Sequence, residues 1–191
     1  GVQTCALPIY MKKWTIDSAH SEVKFKVKHL LVSTVTGQFK NFEAEIESAD
    51  DSFENAKVTF SADVDSIDTR NEQRDGHLKS ADFFDAENHP KITFVSTELK
   101  KISESAYSLT GDFTIRGTTK KVTLNVVYNG RSKGFDGLEV AGFELTGSVN
   151  RFDFGLHWNA MTEAGGIVVG PDVKLEIFAE MKEAQEVSKA A

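Results

Sequence analysis

Apolar and polar residues alternate with a period of two along most of this chain, and this pattern constrains the fold most. Val23, Phe25 and Val27 alternate with lysines, as in a strand that has one buried and one solvated face. About eight segments share this alternation and are separated by turn-like residues. The later segments begin at Phe42, Val58, Ile92, Tyr107, Val122, Ala141 and Val173. The sequence therefore predicts an all-β fold around one core.

Eight strands with one apolar face each can stack as a sandwich or close into a barrel. A closed barrel leaves no exposed strand edge, and an eight-stranded one has a lumen that side chains fill or that holds one small ligand. We therefore predict an antiparallel barrel.

Two segments interrupt the alternation. Residues 69–82 are polar and predict a short helix, whereas residues 150–171 form a long excursion of the kind that is often functional.

Composition excludes several classes of protein. The chain has 191 residues, is 40% hydrophobic and carries a formal charge of −7. This composition predicts a folded domain and argues against broad contact with a nucleic-acid backbone. No apolar run approaches the roughly 18–20 residues of a membrane-spanning helix, so we expect no stable membrane insertion. With no export signal in view, a cytoplasmic location is expected.

The chain divides into one domain and two flanking segments. Residues 1–10 precede the first methionine, hold the only cysteine and carry no charge, so we interpret them as a non-native N-terminal extension. Residues 11–184 are predicted to form the barrel domain, and residues 185–191 a frayed C-terminal tail. Without Cys5 the domain has neither disulfides nor thiol chemistry.

The sequence contains no recognisable catalytic or metal-binding motif. Phosphate-binding loops, zinc-peptidase helices and nucleophile elbows do not occur, and the five histidines lack ligand spacing. We therefore expect no catalytic residue, metal or cofactor. His29 shares the parity of Val23, Phe25 and Val27, so its side chain is predicted to point inward. It is either a structural histidine near a strand end or a hydrogen-bond donor to a ligand at the barrel mouth.

Fourteen phenylalanines are the strongest compositional signal. The strand parity places many of them, with several aliphatic residues, on the inner wall. The predicted ligand-binding wall consists of Phe25, Val27, Phe42, Phe60, Ala62, Phe94, Phe113, Ile115, Phe143 and Leu175. Large rings can either plug a lumen or line an apolar tunnel, and the sequence leaves both readings open.

Several short motifs occur in a fixed order along the chain. They read DSAHS at 17–21, GQF at 37–39, RDGHLKS at 74–80, IRGTTK at 115–120 and NRFDFG at 150–155. On these motifs, the sequence from Trp14 to Met181 resembles the YceI-like family. Any one motif is weak, but the ordered set is specific.

The resemblance implies an extended, lipocalin-like, eight-stranded antiparallel β-barrel with a short helix in the middle loop. It further implies non-enzymatic binding of a polyisoprenoid or similar long-chain lipid, such as an isoprenoid quinone or its precursor, in an apolar tunnel. A polar head group at the mouth could meet His29, Arg70, Arg74 or Arg151, although Arg151 is favoured as structural. Some members dimerise, which leaves a homodimer open.

Two other readings remain open at this stage. One is an enzyme that acts on an isoprenoid lipid, with His29 or His77 as acid–base and residues 150–171 as a lid. The other is a filled barrel without a ligand that acts in interaction or stress protection.

Overall fold

A computed structural model of the protein describes residues 11–161 and 166–184. The segments 1–10 and 185–191, predicted to be an extension and a tail, lie outside the described residues. The strands are β1 (Lys12–Ile16), β2 (Glu22–His29), β3 (Ser33–Phe39), β4 (Phe42–Ser48), β5 (Lys57–Asp63), β6 (Ile67–Asp68), β7 (Lys91–Lys101), β8 (Ala106–Ile115), β9 (Thr118–Lys133), β10 (Glu139–Asn150) and β11 (Val169–Glu183). The single helix of these residues is α1 (Glu72–Lys79), and 3₁₀ turns span Ser18–His20, Val64–Ser66 and Arg151–Phe154.

Eight strands close into an antiparallel barrel. Their order is β1, β4, β5, β7, β8, β9, β10 and β11, and the ring closes where β1 pairs with the end of β11. In that closing pair Trp14 lies opposite Glu183, and Ile16 lies opposite Met181. The predicted eight-stranded barrel is confirmed.

The remaining strands extend the sheet beyond the ring. β11 pairs with β1 through its last residues and with β2 through its earlier ones, so β1 and β2 follow one another along it. The 3₁₀ turn Ser18–His20 makes the corner between them. β3 pairs with β2, and β6 pairs with β3. We call the β2–β3 hairpin the arm.

The membership of the ring differs from the predicted set of strands. The alternation identified β2, which lies in the arm, and missed β1, β3 and β6. β1 is short and buries only Trp14 fully, while Ser33 and Thr34 of β3 are exposed and polar. Each strand therefore shows only a short stretch of alternation, and β6 has only two residues.

The predicted short helix is confirmed as α1. The side chain of Asn71 caps it by accepting a hydrogen bond from the Arg74 amide at 2.9 Å. α1 has no buried residue, so its position depends on the segment that follows it. There Phe83 is buried beneath the turn.

One end of the barrel, which we call the floor, is closed by the β4–β5 loop. Phe53 enters the lumen from this loop and is 1% exposed. Its ring lies 5.4 Å from Trp14, 5.6 Å from Tyr128 and 5.2 Å from Phe143, measured between centroids. The Tyr107 hydroxyl donates to the Ser52 carbonyl at 2.5 Å and holds the loop in place.

Candidate functional site: an apolar cavity in the barrel

The barrel contains a partly open cavity of about 130 Å³ whose wall exposes only apolar atoms. It extends from Phe53 at the floor to Phe25 in the arm and Leu175 in β11. The inner faces of the strands supply the rest of the wall: Ile16, Val23, Phe39, Ala44, Ile46, Val58, Phe60, Ala62, Ile92, Phe94, Leu99, Tyr107, Leu109, Phe113, Val122, Leu124, Val126, Phe143, Leu145, Ile177, Ala179 and Met181, with Lys24 at the edge. Such a wall can hold an apolar group but offers it no hydrogen bond.

The size of the cavity limits what fits without movement. An apolar cavity of about 150 Å³ in another protein stays dry and takes up benzene. The 130 Å³ cavity is comparable, so it has room for one small apolar group. A longer chain requires wall side chains to move. Phe25, Phe60 and Leu145 are the largest side chains among the wall residues that are only half-buried, together with other half-buried residues such as Leu175 and Ile177.

Inward-facing glycines let large side chains reach across the lumen. A Cβ at Gly111 would lie 2.4 Å from Cζ of Phe94, and one at Gly147 would lie 2.3 Å from Cδ2 of Leu124. Both distances are far below a normal carbon–carbon contact. The two glycines therefore make room for the Phe94 ring and the Leu124 side chain, and in this way they affect the shape of the cavity.

Seven of the predicted wall residues line the cavity. They are Phe25, Phe60, Ala62, Phe94, Phe113, Phe143 and Leu175. Their role in ligand binding stays a prediction. Phe53 was missed because it follows no strand pattern and lies in a polar loop, whereas Leu109, Leu124 and Ile177 share the inward parity of their strands.

The other predicted ligand residues do not line this cavity. Val27 and His29 lie further along the arm, where they pair with Val173 and Val169 of β11. Ile115 is buried at the end of β8 in the packed core. Phe42, at the start of β4, is half-buried and lines a second depression, which shares four wall residues with the cavity.

Arg74 is held by its own turn. Its Nε donates to Oγ1 of Thr69 at 2.7 Å, and one terminal nitrogen donates to the Thr69 carbonyl at 2.8 Å. Asp75 accepts from the amide and hydroxyl of the same threonine. Arg70, which is exposed, has a left-handed backbone with φ 62°. The contacts of Arg74 are those of a structural residue.

Among the described residues, Arg151 is the one basic side chain that is fully buried, at 3% exposure. Burial lowers the pKa of its guanidinium. Its guanidinium donates to backbone carbonyls of Gly170, Leu156, Trp158 and Val169. It also lies 4.6 Å from the Phe152 ring centroid. Arg151 thus joins the start of β11 to the segment after β10, which is a structural role.

The histidines proposed for catalysis lie away from the cavity. His29 is half-buried at the end of β2, opposite Ser33. His77 lies 3.0 Å from an Asp82 carboxylate oxygen, and its ring is perpendicular to Trp158 at 4.6 Å. Neither His29 nor His77 lines the cavity.

A cluster of charged groups lies at the corner between β1 and β2. Ligand atoms of Asp17, His20 and Glu180 lie within 4.8 Å of one another, a spacing that could hold a metal ion. The Lys182 ammonium, however, lies 3.0 Å from Asp17. His20 and Lys182 lower the pKa of the Asp17 carboxyl to about 2 by hydrogen bonding. The cluster is therefore held together by its own ion pairs.

The family model for the YceI-like domain matches residues 14–181. The chain belongs to the YceI-like family. Among curated YceI-like relatives, UPF0312 protein SAS2572 of Staphylococcus aureus is 44% identical over 171 residues, which is 89% of this chain and 97% of the relative. UPF0312 protein SERP2314 of Staphylococcus epidermidis is 42% identical over the same coverage.

Solved structures share the barrel. The Campylobacter jejuni YCEI protein has a TM-score of 0.70 at 35% identity, covering 88% of this chain and 96% of its own. Burkholderia cenocepacia BcnA has a TM-score of 0.75 at 23% identity, with 86% and 98% coverage. A polyisoprenoid binding domain of Saccharophagus degradans has a TM-score of 0.65 at 14% identity, with 90% and 98% coverage. The last two likenesses concern the fold alone. No helix of the described residues is long and apolar enough to span a bilayer.

Proposed function

We propose that this YceI-like protein binds a polyisoprenoid or similar long-chain amphiphilic lipid inside its barrel, without chemical change, for carriage or sequestration. The observation that carries the proposal is the cavity in the barrel, whose wall exposes only apolar atoms. The polyisoprenoid binding domain of Saccharophagus degradans, which shares the fold, supports the choice of ligand class. An isoprenoid quinone or its precursor is the specific candidate.

The energetics favour a hydrocarbon chain over a polar ligand. Each methylene removed from water contributes about 0.8 kcal/mol, while a polar group in this cavity would lose its hydrogen bonds to water. The cavity should therefore select for chain length and girth. We expect Phe25 and Phe60 to move first, because they are only half-buried. The head group should stay outside, since none of the predicted polar partners lines the cavity.

The first experiment is organic extraction and mass spectrometry of protein purified without detergent, followed by titration with quinones of several chain lengths. We expect one prenyl lipid per barrel, or uptake that strengthens with chain length. Phe60→Trp fills the cavity and should reduce uptake while the protein stays folded. Phe135→Trp, at a fully exposed turn residue, is the matched control and should change nothing.

A filled barrel without ligand is the second candidate, and the small cavity volume favours it. If Phe60→Trp destabilises the protein by roughly 1–3 kcal/mol, and no quinone binds, the filled barrel replaces the lipid-binding barrel as the proposed function.

Recovery of the bound lipid unchanged tests the non-enzymatic role, and a reproducible product would contradict it. Cell fractionation tests the expected cytoplasmic location, and light scattering tests the homodimer.

A further inference from the structure

Exposed apolar side chains are concentrated at the end of the arm. Leu30, Leu31 and Val32 connect β2 to β3, and Leu31 and Val32 are 65% and 83% exposed. We call these three residues the tip. The large exposed apolar residues elsewhere in the described chain are Met11, Val95, Ile102, Val127, Phe135 and Met161. Apolar residues exposed singly are ordinary on a protein surface, whereas three in succession are not.

The backbone holds the tip in one conformation. Leu30 and Leu31 have left-handed φ angles of 51° and 60°, which are unfavourable for residues with a bulky side chain. The Val32 amide donates to the His29 carbonyl at 3.2 Å, and the Leu30 amide donates to the Val168 carbonyl at 2.9 Å. A strained backbone that holds leucine side chains in water indicates that the exposed leucines serve a function at this position.

The formally charged residues of the segment that contains the tip are all lysines. From residue 23 to residue 42 the chain has four lysines and no carboxylate, although the net charge is −7. Lys24, Lys26 and Lys40 are paired with acidic side chains. Lys28, beside the tip, is exposed and has no ion pair within the part of the chain that the structure describes.

We propose that the tip is a docking element for the surface of an anionic lipid bilayer. The apolar side chains of Leu30, Leu31 and Val32 would enter the interface, and Lys28 would meet lipid phosphates. Docking of this kind is peripheral and reversible. Docking goes beyond the proposed function. The two are related only in that a lipid-binding barrel has to exchange its lipid with the source of that lipid.

The tip lies at the end of the barrel opposite the floor. His29 pairs with Val169 at the start of β11, whereas Glu183 at its end pairs with Trp14. The β9–β10 turn, with Phe135, lies at the floor end, where Asp136 is 3.9 Å from Lys182. Docking through the tip therefore leaves the Phe53 floor away from the bilayer.

The test is co-sedimentation of lipid-free protein with vesicles of phosphatidylcholine and phosphatidylglycerol that contain no prenyl lipid. We expect the wild type to bind, and the double variant Leu31→Ser with Val32→Ser to bind roughly tenfold more weakly. Lys28→Gln should weaken binding and reduce its salt dependence. The matched control, Ile102→Ser with Phe135→Ser, removes two exposed apolar residues at the floor end and should bind like the wild type.

Vesicle binding is measured without a barrel ligand, so it can fail or succeed independently of the proposed function. A wild type that does not bind vesicles overturns docking, as does equal loss in both double variants. Size-exclusion chromatography with light scattering tests the alternative function of the tip, which is self-association. A wild-type dimer that the tip variant converts to a monomer would make the tip a self-association surface and would also overturn docking.

Discussion

The ring of Phe25 lies directly over Gly37, its cross-strand partner in the arm. A Cβ at position 37 would lie 2.2 Å from Cζ of the ring, so no side chain fits there unless the ring moves. Phe25 also lines the cavity. The absence of one side chain on β3 therefore decides where an aromatic wall residue of the cavity lies.

Gly37→Ala should displace the Phe25 ring. We expect a loss of roughly 1–3 kcal/mol in the free energy of unfolding, because the crowded ring must leave its rotamer. Chemical denaturation measures the change. Gly76→Ala in α1, where a Cβ meets nothing within 4 Å, should instead stabilise by about 0.5–1 kcal/mol. Adding Phe25→Leu to Gly37→Ala should restore much of the loss, and no rescue would contradict the steric explanation.

Arg151→Lys should destabilise the protein although the charge is kept. The ammonium of lysine cannot reproduce the planar fork that reaches four carbonyls. Leaving buried acceptors unpaired should cost roughly 3 kcal/mol, measured by urea denaturation. Lys174→Arg, the reverse exchange at an exposed position of β11, is the control and should leave the free energy of unfolding unchanged. A fully stable Arg151→Lys protein would mean that water replaces the lost donors.

Asp17→Asn should lower stability at neutral pH and remove part of the acid sensitivity. The folded pKa of Asp17 is about 2, against an ordinary value of 3.8, so its carboxylate stabilises the fold above about pH 4. That contribution is lost as the pH falls from about 4 towards 2. We expect about 1 kcal/mol at pH 7, allowing for solvent screening of the partners.

Thermal unfolding at a series of pH values tests this expectation. The difference between wild type and Asp17→Asn should shrink as the pH falls through this window. Asp65→Asn, at an exposed aspartate with no ion pair in the described chain, should run parallel to the wild type. A constant difference between wild type and Asp17→Asn at all pH values would show that the carboxylate charge is not responsible.

Two buried serines should respond in opposite ways to alanine. Ser48 is fully buried and its hydroxyl has no hydrogen-bond partner among the described residues, so Ser48→Ala should be neutral or stabilise by up to about 1 kcal/mol. The Ser21 hydroxyl oxygen accepts the Glu180 amide at 2.9 Å. Ser21→Ala should therefore destabilise by about 1–3 kcal/mol. Calorimetry distinguishes the two, and a large loss in Ser48→Ala would reveal a buried water.

The amino-acid sequence by itself determined the all-β class, the short helix and most of the inward-facing wall, and it favoured an eight-stranded barrel. These features depend on alternation and turn residues, which are local along the chain. Seven predicted wall residues, Phe60 and Phe113 among them, line the cavity because strand parity alone decides which face they occupy. The ordered motifs were likewise sufficient to recognise the family.

Only the tertiary structure decided which strands close the ring, what seals the floor and how much space remains inside. β1 and β2 both pair with β11, and the local sequence does not show at which residue of β11 the pairing changes from β2 to β1. Phe53 comes from a polar loop, and Arg151 is buried by segments distant in sequence. The volume of the cavity depends on contacts such as that of Phe25 with Gly37, which exist only once two strands lie side by side.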